Sequence, residues 1–236
     1  MSAPSVHHPL FARFYTHVLA RNEPAEMRAY RDELLAGVNG RVVEVGAGSG
    51  ANFPHYPAEV TEVVAVEPES YLREQAVVAA SRASMRVTVL DGIADALPLE
   101  DASCDAAVAC LVLCTVPDQA SALAELRRVL KPGGRLIASV DHPFAIVGLQ
   151  RQEGQKVDYF ETYNWTEDWT MGGHTVPMSF WNRPLHAMTD AFTAAGFRIS
   201  VISEPDPVPE ARELFPDMLA EKPRFLCFLF FVLHAG

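Results

Sequence analysis

Apolar positions along the chain recur in two rhythms. Across residues 9–36 the rhythm is helical. Leu10, Phe14, Val18 and Leu19 share one face, and Met27, Tyr30, Leu34 and Leu35 repeat the pattern after Pro24. Gly37 and Gly40 close this section. From there short β-branched runs alternate with helical stretches. The pattern predicts strands over 41–45, 60–66, 86–90, 105–111 and 135–140, with helices over 69–80 and 119–130. These strand runs lack polar alternation. Strands of that kind are buried on both faces, as in a parallel sheet covered by helices. Lys131-Pro132-Gly133-Gly134 reads as a turn before the fifth strand.

The rhythm breaks after Pro143. Residues 145–181 hold all three Trp of the chain and the pair Gly172-Gly173. That is too long for a plain crossover, so a cap or hairpin inserted over 143–183 is expected. Helix and strand resume over 184–195 and 197–202, with Gly196 as the helix cap. The apolar run Phe225–Leu233 supplies a last buried strand. The reading is one α/β domain over 1–236, with 1–36 as an N-terminal helical lid.

Composition narrows the partners. With 19 Lys+Arg against 30 Asp+Glu, the net charge is −11. That argues against a nucleic-acid backbone or an anionic membrane as main partner. The longest apolar run has nine residues, short of the roughly 20 that a membrane helix needs. The N-terminus lacks the charged and apolar regions of a signal peptide. Cys104, Cys110, Cys114 and Cys227 form no CxxC pair and sit among apolar residues, which suits reduced core cysteines of a cytoplasmic protein. No metal site is expected. A monomer or homodimer acting on a small molecule fits these features.

The chemistry concentrates after the first strand, in VVEVGAGSGANFPHYP at 42–57. Gly46, Gly48 and Gly50 permit a tight turn and close approach of backbone to a ligand. Glu67 follows Gly46 by 67 − 46 = 21 residues, at the end of the second strand, where an acid suits the two hydroxyls of a ribose. An adenosine-containing ligand is therefore expected over strands one and two. A dinucleotide loop reads GxGxxG, whereas this one reads GxGxG with Ala51 at the sixth place and Pro54 and Pro57 soon after. Glu44, two residues before Gly46, suits a cation better than a pyrophosphate. S-adenosylmethionine carries a sulfonium and an ammonium.

The run resembles the first motif of class I S-adenosylmethionine-dependent methyltransferases. DGIADALPLEDASCD at 91–105, LVLCTVPD at 111–118 and ELRRVLKPGGRLIASV at 125–140 resemble that family's later motifs, in order. GANFPHYP and LVLCTV are similar to methyltransferase-like thiol methyltransferases and related small-molecule enzymes. The resemblance implies a Rossmann-like, seven-stranded, mostly parallel sheet in the order 3-2-1-4-5-7-6, the last strand antiparallel. It implies S-adenosylmethionine as cofactor and S-adenosylhomocysteine as product. Glu44, Gly46, Ala47, Gly48 and Gly50 would line the methionine and ribose, and Glu67 would hold the ribose with Pro68 beside the adenine. Gly92, Ile93, Ala94 and Asp95 would border the adenine. Many relatives have Asp in place of Ile93, a role that Asp91 or Asp95 would take here. Leu111 would approach through its carbonyl, and Tyr15 would close over the methionine carboxylate.

The expected activity is methyl transfer to an O, N or S atom of a small molecule, with secondary metabolism as the expected setting. A protein of the same fold that binds the cofactor as a cyclase or regulator is the alternative, with an NAD-binding oxidoreductase further behind. In-line displacement on a sulfonium needs positioning, and a base only where the acceptor keeps its proton. His142, directly after the fifth strand, is the candidate base. Candidate acceptor contacts are His17, Tyr159, Trp165, Trp169, His174, Trp181 and Arg183. The aromatic members suit a planar ligand. Arg183 would bind an acidic group or pair with a carboxylate.

Overall fold

The structure is a computed structural model describing residues 25–171, 174–205 and 228–236. Seven strands form the main sheet: β1 (Gly40–Val45), β2 (Val60–Val66), β3 (Arg86–Leu90), β4 (Cys104–Cys110), β5 (Leu130–Asp141), β8 (Phe197–Ser203) and β9 (Phe228–Ala235). Their order is β3-β2-β1-β4-β5-β9-β8. β1 to β5 run parallel, and β9 is antiparallel to both β5 and β8. Counted within this sheet, β8 and β9 are the sixth and seventh strands, so the order is the expected 3-2-1-4-5-7-6. β6 (Tyr163–Met171) and β7 (His174–Asn182) form a separate antiparallel hairpin.

Valine explains β1 and β2. Val42, Val43, Val63 and Val66 are fully buried, because helices cover both faces. On one face lie α1 (Ala25–Leu35) and α2 (Ser70–Ala80), where Leu34, Leu35, Phe53 and Ala76 pack against Val42, Val63 and Ile137. On the other lie α3 (Gln119–Val129) and α5 (Leu185–Ala194), where Leu123, Leu126, Met188 and Phe192 meet Leu136, Phe231 and Leu233. Each of these buried Val, Leu, Ile, Met and Phe side chains contributes roughly 1.5–3 kcal/mol. The Phe192 and Phe231 rings meet edge-on at 5.0 Å.

Three elements depart from the sequence pattern. β5 begins at Leu130, not 135. Its pairing with β4 passes from Cys104–Leu130 directly to Ala106–Arg135, so Lys131-Pro132-Gly133-Gly134 is a bulge within the strand. Helix α4 (Pro143–Gln152) was hidden in the insert, because its short apolar face adjoins the aromatic series. β9 starts at Phe228; residues 225–227 lie outside the described part. So do 1–24 of the predicted lid and Cys227. Cys104, Cys110 and Cys114 are free thiols. Among the described residues no helix is long and apolar enough to cross a membrane, and no cluster of three metal-ligating side chains occurs.

The parallel register brings the C-terminal ends of β1, β2, β4 and β5 to one edge of the sheet. β1 hydrogen-bonds β2 on one side and β4 on the other. A crevice at such a switch point is where open α/β sheets bind ligands.

Candidate active site

The glycine loop leaves β1 with Gly46, Gly48 and Gly50 all at positive φ (64°, 57° and 85°). Gly46 is also a packing requirement: a Cβ there would lie 2.5 Å from Val112 Cγ2. Glu67 ties the loop to β2. One carboxylate oxygen accepts the Gly48 N–H at 2.8 Å and the other accepts the Glu69 N–H at 2.9 Å. Each oxygen keeps a second lone pair. Glu67 is buried, which pushes its carboxyl upward, while the two N–H groups pull it back. Hydroxyl donors from a ligand would complete this environment.

The loop amides decide between the two cofactor classes. A phosphate-cradling loop presents free N–H groups. Here the Gly46 and Ala47 N–H groups donate to the Val66 carbonyl, Gly50 N–H donates to Ala47, and Gly48 N–H is held by Glu67. With these four amides engaged and Glu44 and Glu67 buried behind it, the loop suits a ribose diol and a cation better than a pyrophosphate.

Glu44 is a strut behind this loop. Its oxygens accept Asn52 Nδ2 and Tyr56 O–H, each at 2.8 Å, and only 2% of the residue is exposed. Arg31 donates to Asn52 Oδ1 at 2.5 Å, so α1 is joined to the loop through Asn52. Burial pushes the Glu44 carboxyl up to about 7, against the pull of its two donors. Sequence reasoning named Glu44 but missed Arg31, Asn52 and Tyr56. The motif GANFPHYP did carry the last two.

The adenine side is only partly as expected. Gly92 packs against Val66 and Pro98, with Cβ space of 2.9 and 3.0 Å. Ile93 is exposed and bridges to Ala96, Ala94 is buried, and Asp95 is exposed. Asp91 pairs with Arg73 at 3.1 Å. Arg73 also donates to the Glu67 and Pro68 carbonyls, fixing the end of β2. Leu111 stands just past β4 with φ of 55°, in a region disfavoured for a branched side chain. Its N–H donates to the Ser139 carbonyl, and its carbonyl accepts Cys114 S–H at 3.4 Å.

Past the ends of β4 and β5 lies a solvent-open pocket. Leu113 and Cys114 after β4, Asp141 of β5, Ile146 of α4, Trp165 of β6 and Phe180, Trp181 and Asn182 of β7 are among its walls. Trp181 N–H donates to the Cys114 carbonyl at 2.7 Å, which docks the hairpin onto the β4–α3 loop. Trp165 and Phe180 face each other across the hairpin with ring centroids 5.3 Å apart.

Several expected acceptor contacts need correction. His142 does not line this cavity; β5 ends at Asp141, which is among the cavity walls, and at His142 the chain already turns into α4. His142 is buried, caps α4 and meets Glu204 Oε1 through Nε2 at 2.9 Å. Arg183 neither pairs with a carboxylate among the described residues nor is free for an acidic ligand. Its guanidinium donates to the Leu113 and Val116 carbonyls at 2.7 Å and to the Pro117 carbonyl at 3.3 Å, and it stacks 5.1 Å from the Trp181 ring. Burial pushes it down to about 10. Tyr159 sits in an outer cluster with Phe144 and Phe160, its hydroxyl accepting Leu185 N–H. Trp169 and His174 are placed by backbone only, on β6 and β7. Tyr15 and His17 lie outside the described residues. Asp141 was missed; its signal was its place as the last residue of β5.

Residues 43–138 match the methyltransferase domain family. The chain is 34% identical to human thiol S-methyltransferase TMT1B over 143 residues, covering 54% of this chain and 58% of that protein. It is 36% identical to the ubiquinone/menaquinone biosynthesis C-methyltransferase UbiE of Syntrophotalea carbinolica over 115 residues, 47% of each chain. The chain spans about half the length of the curated relatives it matches. An S-adenosylmethionine-dependent methyltransferase structure from Mesorhizobium loti superposes with a TM-score of 0.61 at 20% identity, covering 87% of this chain and 96% of that one, a likeness of fold. The matched domain, the relatives and the strand order agree with what the loop's buried acids require of a ligand, and over residues 43–138 the chain is similar to S-adenosylmethionine-dependent methyltransferases.

Proposed function

We propose that this protein transfers a methyl group from S-adenosylmethionine to a heteroatom of a small molecule held in the cavity beyond Leu111. The observation that carries this reading is the placement of two unlike sites at one sheet edge. An acid-backed glycine loop lies at the ends of β1 and β2. An aromatic-walled cavity lies past the ends of β4 and β5. Leu111, with its strained backbone, follows β4 directly and is tied by its carbonyl to Cys114 of the cavity wall.

The bound cofactor supplies an electrophilic methyl on a sulfonium. The rest is positioning by the protein. Glu67 orients the ribose while keeping the loop closed through Gly48. Glu44 acts through Asn52 and Tyr56, and its negative field favours a cationic ligand. The hairpin and α4 cover the acceptor and exclude water. Trp165, Phe180 and Trp181 favour a planar molecule. Small-molecule acceptors are supported by the aromatic walls of this solvent-open pocket, while O, N and S atoms all remain within the reading. Two relatives bear names for S- and C-methylation.

The test is incubation with methyl-labelled S-adenosylmethionine and a set of planar phenols, amines and thiols, followed by mass spectrometry. S-adenosylhomocysteine and a labelled methylated product are expected from at least one class. Tight cofactor binding with no labelled product from any class would favour the cyclase or regulator reading instead.

A further inference from the structure

Two polar side chains in the aromatic cavity have no partner among the described residues. The Asp141 carboxylate accepts no hydrogen bond from any of them. Asn182 is 3% exposed, and its Nδ2 is buried with nothing to donate to. Arg183 and Cys114, which also line the cavity, are already engaged. Arg183 is held by three carbonyls, and Cys114 S–H donates to Leu111. A buried donor and an enclosed carboxylate left unmet are costly, and a ligand that meets both recovers that cost.

We propose that Asp141 and Asn182 together read a hydroxyl group on a planar acceptor, and that Asp141 takes its proton during methyl transfer. This rests on the methyltransferase reading above. A hydroxyl is one donor and two lone pairs on a single atom. Its O–H donates to Asp141, and one lone pair accepts from Asn182 Nδ2. The second lone pair attacks the methyl carbon. As the new C–O bond forms, the C–S bond breaks and its electrons stay on sulfur, giving a neutral thioether. The O–H bond electrons remain on oxygen, the proton passes to the Asp141 carboxylate, and solvent later removes it. An ammonium has donors only and would leave Asn182 unmet. A thiol is weak as both donor and acceptor.

The surroundings suit a base. Burial, reinforced by Glu167 of β6, pushes the Asp141 carboxyl up to about 6. A base is most effective with a pKa near the working pH. Cys114 faces it from the β4–α3 loop as a neutral thiol, pushed up to about 12. Arg183 faces it from beyond β7 and is already saturated. α4 and α5 present only the apolar Pro143, Ile146 and Met188. Just past β5, His142 is turned toward Glu204.

The probes are 2-naphthol, naphthalene and 2-naphthalenethiol, titrated calorimetrically into protein saturated with S-adenosylhomocysteine. Wild type should bind 2-naphthol about tenfold or more tightly than naphthalene, as one well-met polar pair allows. Asp141→Leu and Asn182→Leu should each remove most of that preference while leaving S-adenosylhomocysteine affinity unchanged. Methylation of 2-naphthol should rise with pH through about 6 in wild type and lose that dependence, with most of its rate, in Asp141→Asn. Methylation of the thiol, which ionises more readily by itself, should be far less affected. Equal binding of naphthol and naphthalene, an undiminished preference in either Leu variant, or equal dependence of thiol and hydroxyl on Asp141 would overturn the proposal. Failure to bind S-adenosylhomocysteine at all would instead overturn the methyltransferase reading beneath it.

Discussion

Replacing Glu44 with glutamine should change how stability depends on pH more than it changes stability itself. The folded carboxyl is raised from 4.5 to about 7, because burial outweighs its hydrogen bonds. That is a difference of about 2.5 pH units, or about 3 kcal/mol at roughly 1.4 kcal/mol per unit. The sign follows from where the proton is held more tightly, which is the folded state. Below pH 4.5 the group is protonated in both states and its contribution is fully present. As pH rises from 4.5 through about 7 the unfolded chain releases the proton first, and this stability is lost. Above that range the contribution stays absent. A glutamine at position 44 would keep the network, its oxygen accepting Asn52 Nδ2 and its amide donating to a reoriented Tyr56 hydroxyl. Denaturant titrations of both proteins from about pH 4.5 to 8 isolate the effect, since other groups titrate alike in each. The wild-type curve should fall by about 3 kcal/mol relative to Glu44→Gln over that range. A gap constant to within about 0.5 kcal/mol would show that Glu44 is solvated or otherwise paired.

Other substitutions test separate parts of the account. Arg183→Met should cost about 3 kcal/mol by denaturant unfolding, since two charge-assisted bonds to the Leu113 and Val116 carbonyls are lost together with the stacking on Trp181. Arg183→Lys should recover less than half of this, because an ammonium lacks the planar fork. Gly46→Ala should cost about 2–4 kcal/mol from its positive φ and the contact with Val112. Adding Val112→Ala should restore only the part due to the contact. His142→Ala should lower thermal stability by about 1–2 kcal/mol through loss of the Glu204 bond, while cofactor affinity measured by calorimetry stays within about twofold.

The parallel sheet was legible because its strands are valine-rich and free of alternation. That is a direct consequence of burial on both faces. The glycine loop and Glu67 were legible because their spacing is imposed by one strand, one turn and the next strand. The acceptor cavity was not. It is built from the ends of β4 and β5, α4 and a hairpin, residues 113 to 188 that no periodicity links. The choice of His142 over Asp141 shows the difficulty. Asp141 is the last residue of β5 and lines the cavity, whereas His142 already begins the turn into α4, and no periodicity marks that one-residue boundary. Arg183 shows another limit. A charged residue before proline suggests a partner with charge, whereas three backbone carbonyls of a distant loop satisfy it. Helix α4 was masked because its ten residues lie within an aromatic-rich stretch, where helical periodicity is hard to separate from the hairpin's.

The central claim is that the loop at 46–50 and Glu67 hold an adenosine cofactor by its ribose. Calorimetric titration of S-adenosylhomocysteine into wild type and Glu67→Gln measures this most directly, with NAD as the comparison ligand. The account predicts binding in about the micromolar range for wild type, a loss of about 1–3 kcal/mol for the variant, and no comparable binding of NAD. Equal affinity in both proteins, or NAD bound in preference to S-adenosylhomocysteine, would contradict it.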